Sequence, residues 1–167
     1  MPMKIEPARP EDIYEVAVAM RGRDYEEISC LYPTESRRDL AMALVARYGG
    51  RPDILCGFWH NQPVCIGGFI EVRPRVISMM LFATADFPKI GLGITRFTTR
   101  QMMPRLEAAG VHRFEAVSLD GYTEVHAWLG VLGLRQETAP LRNFGKNGES
   151  FILFSKVIDA TDRPAGD

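Results

Sequence analysis

The chain has no excess of charge of either sign. Twenty Lys and Arg face twenty-one Asp and Glu across 167 residues, a formal net charge of −1. With no basic surplus to neutralise phosphates, a nucleic-acid partner is not indicated. Cysteine is scarce. Cys30, Cys56 and Cys65 are odd in number, and none forms a CxxC pair, which argues against a disulfide framework or a zinc site. They read as small buried thiols in a reducing compartment. His60, His112 and His126 show no ligand spacing, so no metal is expected. No apolar run reaches membrane-spanning length. The N-terminus "MPMKIEPARPEDIYEV" lacks the apolar stretch of a secretory signal, so a cytoplasmic location is expected.

What the chain does have is apolar residue. The hydrophobic fraction is 46%, enough for a core at this length. "KIEPAR" reads as a short edge strand closed by Pro7. "PEDIYEVAVAMR" reads as a helix opened by Pro10, with Ile13, Val16, Ala17 and Met20 on one face and Gly22 as its stop. "DYEEISCLY", capped by Asp24, and "ESRRDLAMALVARYGG" predict two further helices. The period then changes to two. "ILCGFWH" and "PVCIGGFIEV", joined at Asn61–Gln62, predict a hairpin. "VISMMLFAT" is apolar throughout, as in a strand buried on both faces. A helix from about Gly91 to Ala109 contains Pro104, which should kink or split it. "HRFEAVSL" is a strand, "DGYTEVHAWLGVLG" a helix capped by Asp120, and "LRQETA" and "SFILFSKV" are final strands. Hairpins require antiparallel pairing, and a helical crossover between buried strands requires a parallel pair. The expectation is an α/β domain with a central mixed sheet of six to seven strands flanked by helices. Its span is 1–158, followed by a polar tail, 159–167.

In "FATADFPKIGLGITRFTTRQ" a strand passes through a glycine turn into a helix, an arrangement suited to holding a phosphate on backbone N–H groups.

The order of elements resembles the GNAT acetyltransferase superfamily along almost the whole chain. "VHAWLGVLGLRQE" is similar to the late helix and strand of that family, and "PARPEDIYEVAVAMR" to its first strand and helix. "MRGRDYEEI", "HAWLGVLGLRQE" and "FGKNGESFILF" also resemble small GNAT-like proteins of tailed bacteriophages. The resemblance implies acetyl-CoA as cosubstrate and an amine or protein acceptor. It implies a bulge in the fourth strand that holds the pantetheine arm at Phe82, Ala83 and Thr84. It also implies a pyrophosphate cradle from Lys89 through Ile90, Gly91, Leu92 and Gly93 to Ile94, with Arg96 supplying charge. Glycine there is expected to permit close approach and φ > 0. Glu71, with Glu115 as the other available carboxylate, is the candidate general base, and Tyr122 the candidate acid.

Two positions depart from the family pattern. Pro88 stands where an Arg or Gln usually lies, three residues before Gly91. Leu129 stands four residues before Gly133, where a proton-donating Tyr is common. Pro has no N–H to donate, and Leu cannot protonate a thiolate. The resemblance therefore implies weak acetyl transfer. A second reading is a non-catalytic phage protein of the same fold, residing in the virion or host cytoplasm and contacting virion proteins.

Overall fold

A computed structural model describes residues 2–159. The predicted tail from 160 onward lies outside the described residues.

The chain starts with β1 (Met3–Pro7), then α1 (Pro10–Val18), α2 (Gly22–Ser29) and α3 (Arg37–Tyr48). Strands β2 (Ile54–Trp59), β3 (Gln62–Arg73) and β4 (Val76–Ala83) follow. A 3-10 turn (Phe87–Lys89) leads into α4 (Gly91–Phe97), a π-helical turn (Thr98–Met102) and α5 (Met103–Ala108). The chain closes with β5 (Arg113–Leu119), α6 (Thr123–Val131), β6 (Arg135–Gln136) and β7 (Phe151–Val157). The seven strands form one mixed sheet in the order β1-β2-β3-β4-β5-β7-β6, as the pattern of periods predicts. Only β4 and β5 pair in parallel.

Helices cover both faces. Ile13, Val16, Leu40 and Leu44 of α1 and α3 pack with Ile54, Ile66 and Phe82 on one face. On the other, Ile90 and Ile94 pack with Val64, Cys65 and Ala83, while Met103, Leu129 and Leu132 meet Ile77, Phe114 and Phe154. Phe82 and Ala83 fall in clusters on opposite faces, the alternation that an apolar-throughout strand serves. All three cysteines are buried and free.

Several local expectations are corrected. Gly22 does not end α1; it opens α2. The β2–β3 turn is His60–Asn61, both at positive φ (47° and 64°), so the hairpin turns one residue earlier than predicted. Asp120 is not a cap: Tyr122 holds the N-cap position of α6 without a side-chain cap bond. Gly133 does stop that helix, at φ 93°, with Leu134 N donating to Leu129 O at 2.9 Å. Pro104 splits its helix as expected. Proline brings no N–H to the ladder, and just before it the ladder slips to a π turn, with Met103 N donating to Thr98 O.

Candidate functional site

The β4–β5 pairing is short. Val76, Ile77 and Ser78 pair with Arg113, Phe114 and Glu115, and beyond these the strands part. A cavity of about 450 Å³ opens there. Its walls are Ser78–Phe82 of β4 and Glu115–Val117 of β5. Trp128 and Leu129 of α6, Ile94 and Phe97 of α4, and Asp24, Glu27 and Ile28 of α2 also line it. The lining is mostly apolar with a few fixed polar groups, the usual make-up of a small-molecule site.

The β4 edge facing the cavity has free backbone. Thr84 N donates to Val64 O of the β3 segment at 2.8 Å. By the alternation of an antiparallel pair, Ala83 and Leu81, beyond the last β4–β5 pair at Ser78, then aim their N–H groups at the side β5 has left. Ala83 is already satisfied: its N–H donates to Asp24 Oδ2 at 2.9 Å, and its carbonyl accepts Arg21 N at 2.8 Å. The β3–β4 register is regular from Ile77 to Ala83, with its irregularity at Glu71/Arg73. The bulge expected at Phe82–Thr84 is therefore absent from this strand.

Asp24 is the hub of the site. It is 3% exposed. It accepts Arg21 Nε at 3.1 Å and Arg21 Nη2 at 2.9 Å, Ala83 N, and the Tyr122 hydroxyl at 2.6 Å. One carboxylate thus ties α2 to the end of β4 and the start of α6. Tyr122, the predicted acid, lines the cavity, but its proton is committed to Asp24. Burial and that bond raise its pKa well above the ordinary tyrosine range. To protonate a leaving thiolate it would first have to break the bond.

The remaining predicted residues separate. Phe82 and Ile94 lie on the cavity wall. Lys89 to Gly93 form the shoulder where β4 turns into α4, outside the lining. There the N–H groups of Gly91, Leu92 and Gly93 precede the first helical bond, Ile94 N to Ile90 O, and so have no partner within the helix. Neither Gly91 nor Gly93 has positive φ, contrary to expectation. Gly93 instead lies against the flexible end of the Met3 side chain. A Cβ there would run into Met3 Sδ and stand 2.7 Å from Met3 Cε. Leu92 is exposed. Lys89 pairs with Asp86 at 2.9 Å, whereas Arg96 is exposed and makes no ion pair among the described residues. Glu71 accepts Arg75 N at 3.0 Å in the β3–β4 turn and does not line the cavity. Glu115 does, but Arg113 (2.7 Å) and Arg73 (3.3 Å) hold it.

Two further residues shape the cavity, and the second, Glu27, was missed by the sequence reading. Trp128 Nε1 donates to Thr95 Oγ1 at 2.8 Å and its ring meets Phe87 edge-on, joining α6 to α4. Glu27 Oε2 accepts Ser118 Oγ at 2.8 Å and Leu119 N at 2.9 Å, fixing the carboxylate at the end of β5. Burial pushes the Glu27 carboxyl above its ordinary range, against the pull of those two bonds. One signal was readable. Asp24, Glu27 and Ile28 fall at i, i+3 and i+4, so both acids share a helical face with an apolar residue.

Solved structures of the same shape cover nearly the whole chain. The ribosomal-protein-S18-alanine N-acetyltransferase of Escherichia coli superposes with a TM-score of 0.67 at 16% identity, covering 99% of this chain and 97% of its own. A GNAT-family acetyltransferase from Bacillus anthracis gives 0.67 at 11%, covering 94% and 95%. The fold is that of the GNAT acetyltransferases. A putative acetyltransferase from Salmonella typhimurium, solved with its cofactor acetyl-CoA, shares the GNAT fold over 100% of both chains, with a TM-score of 0.61 and 16% identity. No protein-family model and no curated protein sequence matches the chain. The resemblance to phage-encoded proteins finds no support in these neighbours. Among the described residues no helix is long and apolar enough to cross a membrane, and no group of three or more potential ligands is placed to hold a metal ion.

Proposed function

We propose that this chain is an acetyl-CoA-dependent N-acetyltransferase that acts on an amine. The observation that carries the reading is the early parting of β4 and β5. It leaves the Leu81 backbone without a β5 partner along one wall of an apolar cavity. An extended amide chain such as the pantetheine arm docks on such an edge by strand-like hydrogen bonds. Because Ala83 is held by Asp24 and Arg21, the arm engages Leu81 below Phe82, rather than Ala83 and Thr84. The pyrophosphate lies against the N–H groups of Gly91, Leu92 and Gly93, where the helix dipole favours an anion. Arg96 supplies the nearest uncommitted charge. Pro88 offers nothing, so one charge-assisted contact is missing, a loss of about 1.5–3 kcal/mol in binding.

The chemistry is direct transfer. The amine nitrogen attacks the thioester carbonyl carbon, and the C–S bond breaks with its electron pair on sulfur. A thiolate leaves without much help, since thiols ionise near pH 8.5. Leu129, buried on the cavity wall, is therefore compatible with turnover at a reduced rate. The acceptors named for the neighbours, ribosomal-protein alanines, make a protein amine one acceptor class to test.

The experiment is calorimetric titration of the purified chain with acetyl-CoA. Saturable binding is expected, and its weakening by Leu81→Trp, which fills the cavity beside β4, would place it. No heat of binding at any acetyl-CoA concentration refutes the reading.

A further inference from the structure

We infer that Glu27 takes the proton from the acceptor, an aliphatic amine that enters the cavity as its ammonium ion. This rests on the N-acetyltransferase reading above and names the base that reading leaves unassigned.

Of the carboxylates on the cavity wall, Asp24 has both oxygens occupied by Arg21, Ala83 N and Tyr122. Glu115 is held by two arginines. Glu124 is exposed at the start of α6. Glu27 differs from all three. It is half-buried, and its Oε2 is clamped by Ser118 Oγ and Leu119 N. Its Oε1 has no hydrogen-bond partner among the described residues. A carboxylate anchored by one oxygen and open at the other is oriented to receive a proton. It stands at the end of β5, where β4 and β5 have diverged, with Ile28, Val117 and Val125 as apolar neighbours in the lining suited to an alkyl chain.

The charges around it agree with the role. Burial raises the basicity of Glu27, Asp24 on the same helix raises it further, and Arg23 lowers it along with the two anchoring bonds. Tyr122, from α6, faces the same region with its proton on Asp24. An aliphatic ammonium has an ordinary pKa near 10.4 and is unreactive until it loses a proton. In the step proposed, Glu27 Oε1 takes one ammonium proton. The freed nitrogen pair forms the C–N bond, and the C–S bond breaks with its electrons on sulfur. The second nitrogen proton passes through water to the thiolate, giving CoA, and Glu27 returns its proton to solvent.

The test uses the full chain with acetyl-CoA and three probes: n-butylamine, benzylamine and a lysine-containing hexapeptide. Thiol release is followed across neutral to alkaline pH. Glu27→Gln keeps an oxygen for Ser118 and Leu119 N but cannot accept the proton. Its kcat/KM should fall on the order of 10²–10⁴-fold, and the deficit should shrink as pH rises and solvent deprotonates the amine. Acetyl-CoA binding by calorimetry should be unchanged. If Glu27→Gln unfolds, Glu27→Ala with added formate is the second variant. Restored turnover that scales with formate supports a proton acceptor, which a purely structural residue would not show. Glu27→Gln with the parent's rate and pH profile overturns the inference. So does a parent that binds acetyl-CoA yet transfers to none of the three amines, and in that case the binding reading stands. A parent that does not bind acetyl-CoA removes both.

Discussion

Replacing Asp24 by Asn tests whether the hub is an all-acceptor site. Every group facing the carboxylate is a donor: the Tyr122 hydroxyl at 2.6 Å, Ala83 N at 2.9 Å, and Arg21 Nε and Nη2 at 3.1 and 2.9 Å. Asparagine presents one oxygen and one NH₂. If the oxygen stays toward Arg21 and Ala83, the NH₂ meets the Tyr122 hydroxyl. In the other orientation it meets a guanidinium and a backbone N–H. Either way at least one buried donor is left unpaired, at about 1–3 kcal/mol each, and charge assistance is lost from the rest. Breaking a buried ion pair by removing one partner costs about 3–5 kcal/mol. The Arg21 side chain is 27% exposed and recovers part of that from water. The expected loss is therefore about 3 kcal/mol, a fall in Tm of roughly 6–12 °C at this chain length. Urea denaturation followed by far-UV circular dichroism reads it, with an unchanged slope expected if only the native state is affected. Tyr122→Phe removes one donor and leaves the carboxylate its other partners, so its loss should be smaller, about 1–2 kcal/mol. Asp24→Asn within 1 kcal/mol of the parent, or less damaging than Tyr122→Phe, would refute the hub.

Asp12, whose bonds from Arg9 hold its carboxyl below the ordinary range despite burial, contributes stability that is present above about pH 4 and lost as pH falls through its lowered folded value. Asp12→Asn should thus separate from the parent near neutrality and converge with it in acid; parallel stability–pH curves in denaturant titrations would contradict this. Gly93→Ala should gain less than the about 1 kcal/mol that alanine offers over glycine in a helix, because its methyl makes the Met3 thioether move aside. In the Met3→Ala background the full gain should appear, and a double-mutant cycle without coupling would show that Met3 does not limit it.

The elements were legible because they are written in local period. Ile13, Val16, Ala17 and Met20 at helical spacing are all buried, and the unbroken apolar run from Val76 became the central strand between β3 and β5. The glycine turn lies at a strand-to-helix junction, as read, but without the positive φ expected of its glycines. Gly93 touches a methionine ninety residues earlier in the chain, and sequence spacing carries no record of such a contact. The site shows the same limit. Asp24 reaches Ala83 across 59 residues and Tyr122 across 98, and Glu27 reaches Ser118 across 91. In sequence these two acids belong to the charged run "DYEEI", which has the composition of a solvated helix face. The periodicity of the chain determined which segments are helix or strand and which face of each is apolar, since those depend on neighbours three, four or two residues away. Which carboxylate is locked in a network and which keeps an oxygen open to the cavity was decided only in the tertiary structure. There α2 meets the diverging ends of β4 and β5, and burial together with distant donors sets the chemistry of each acid.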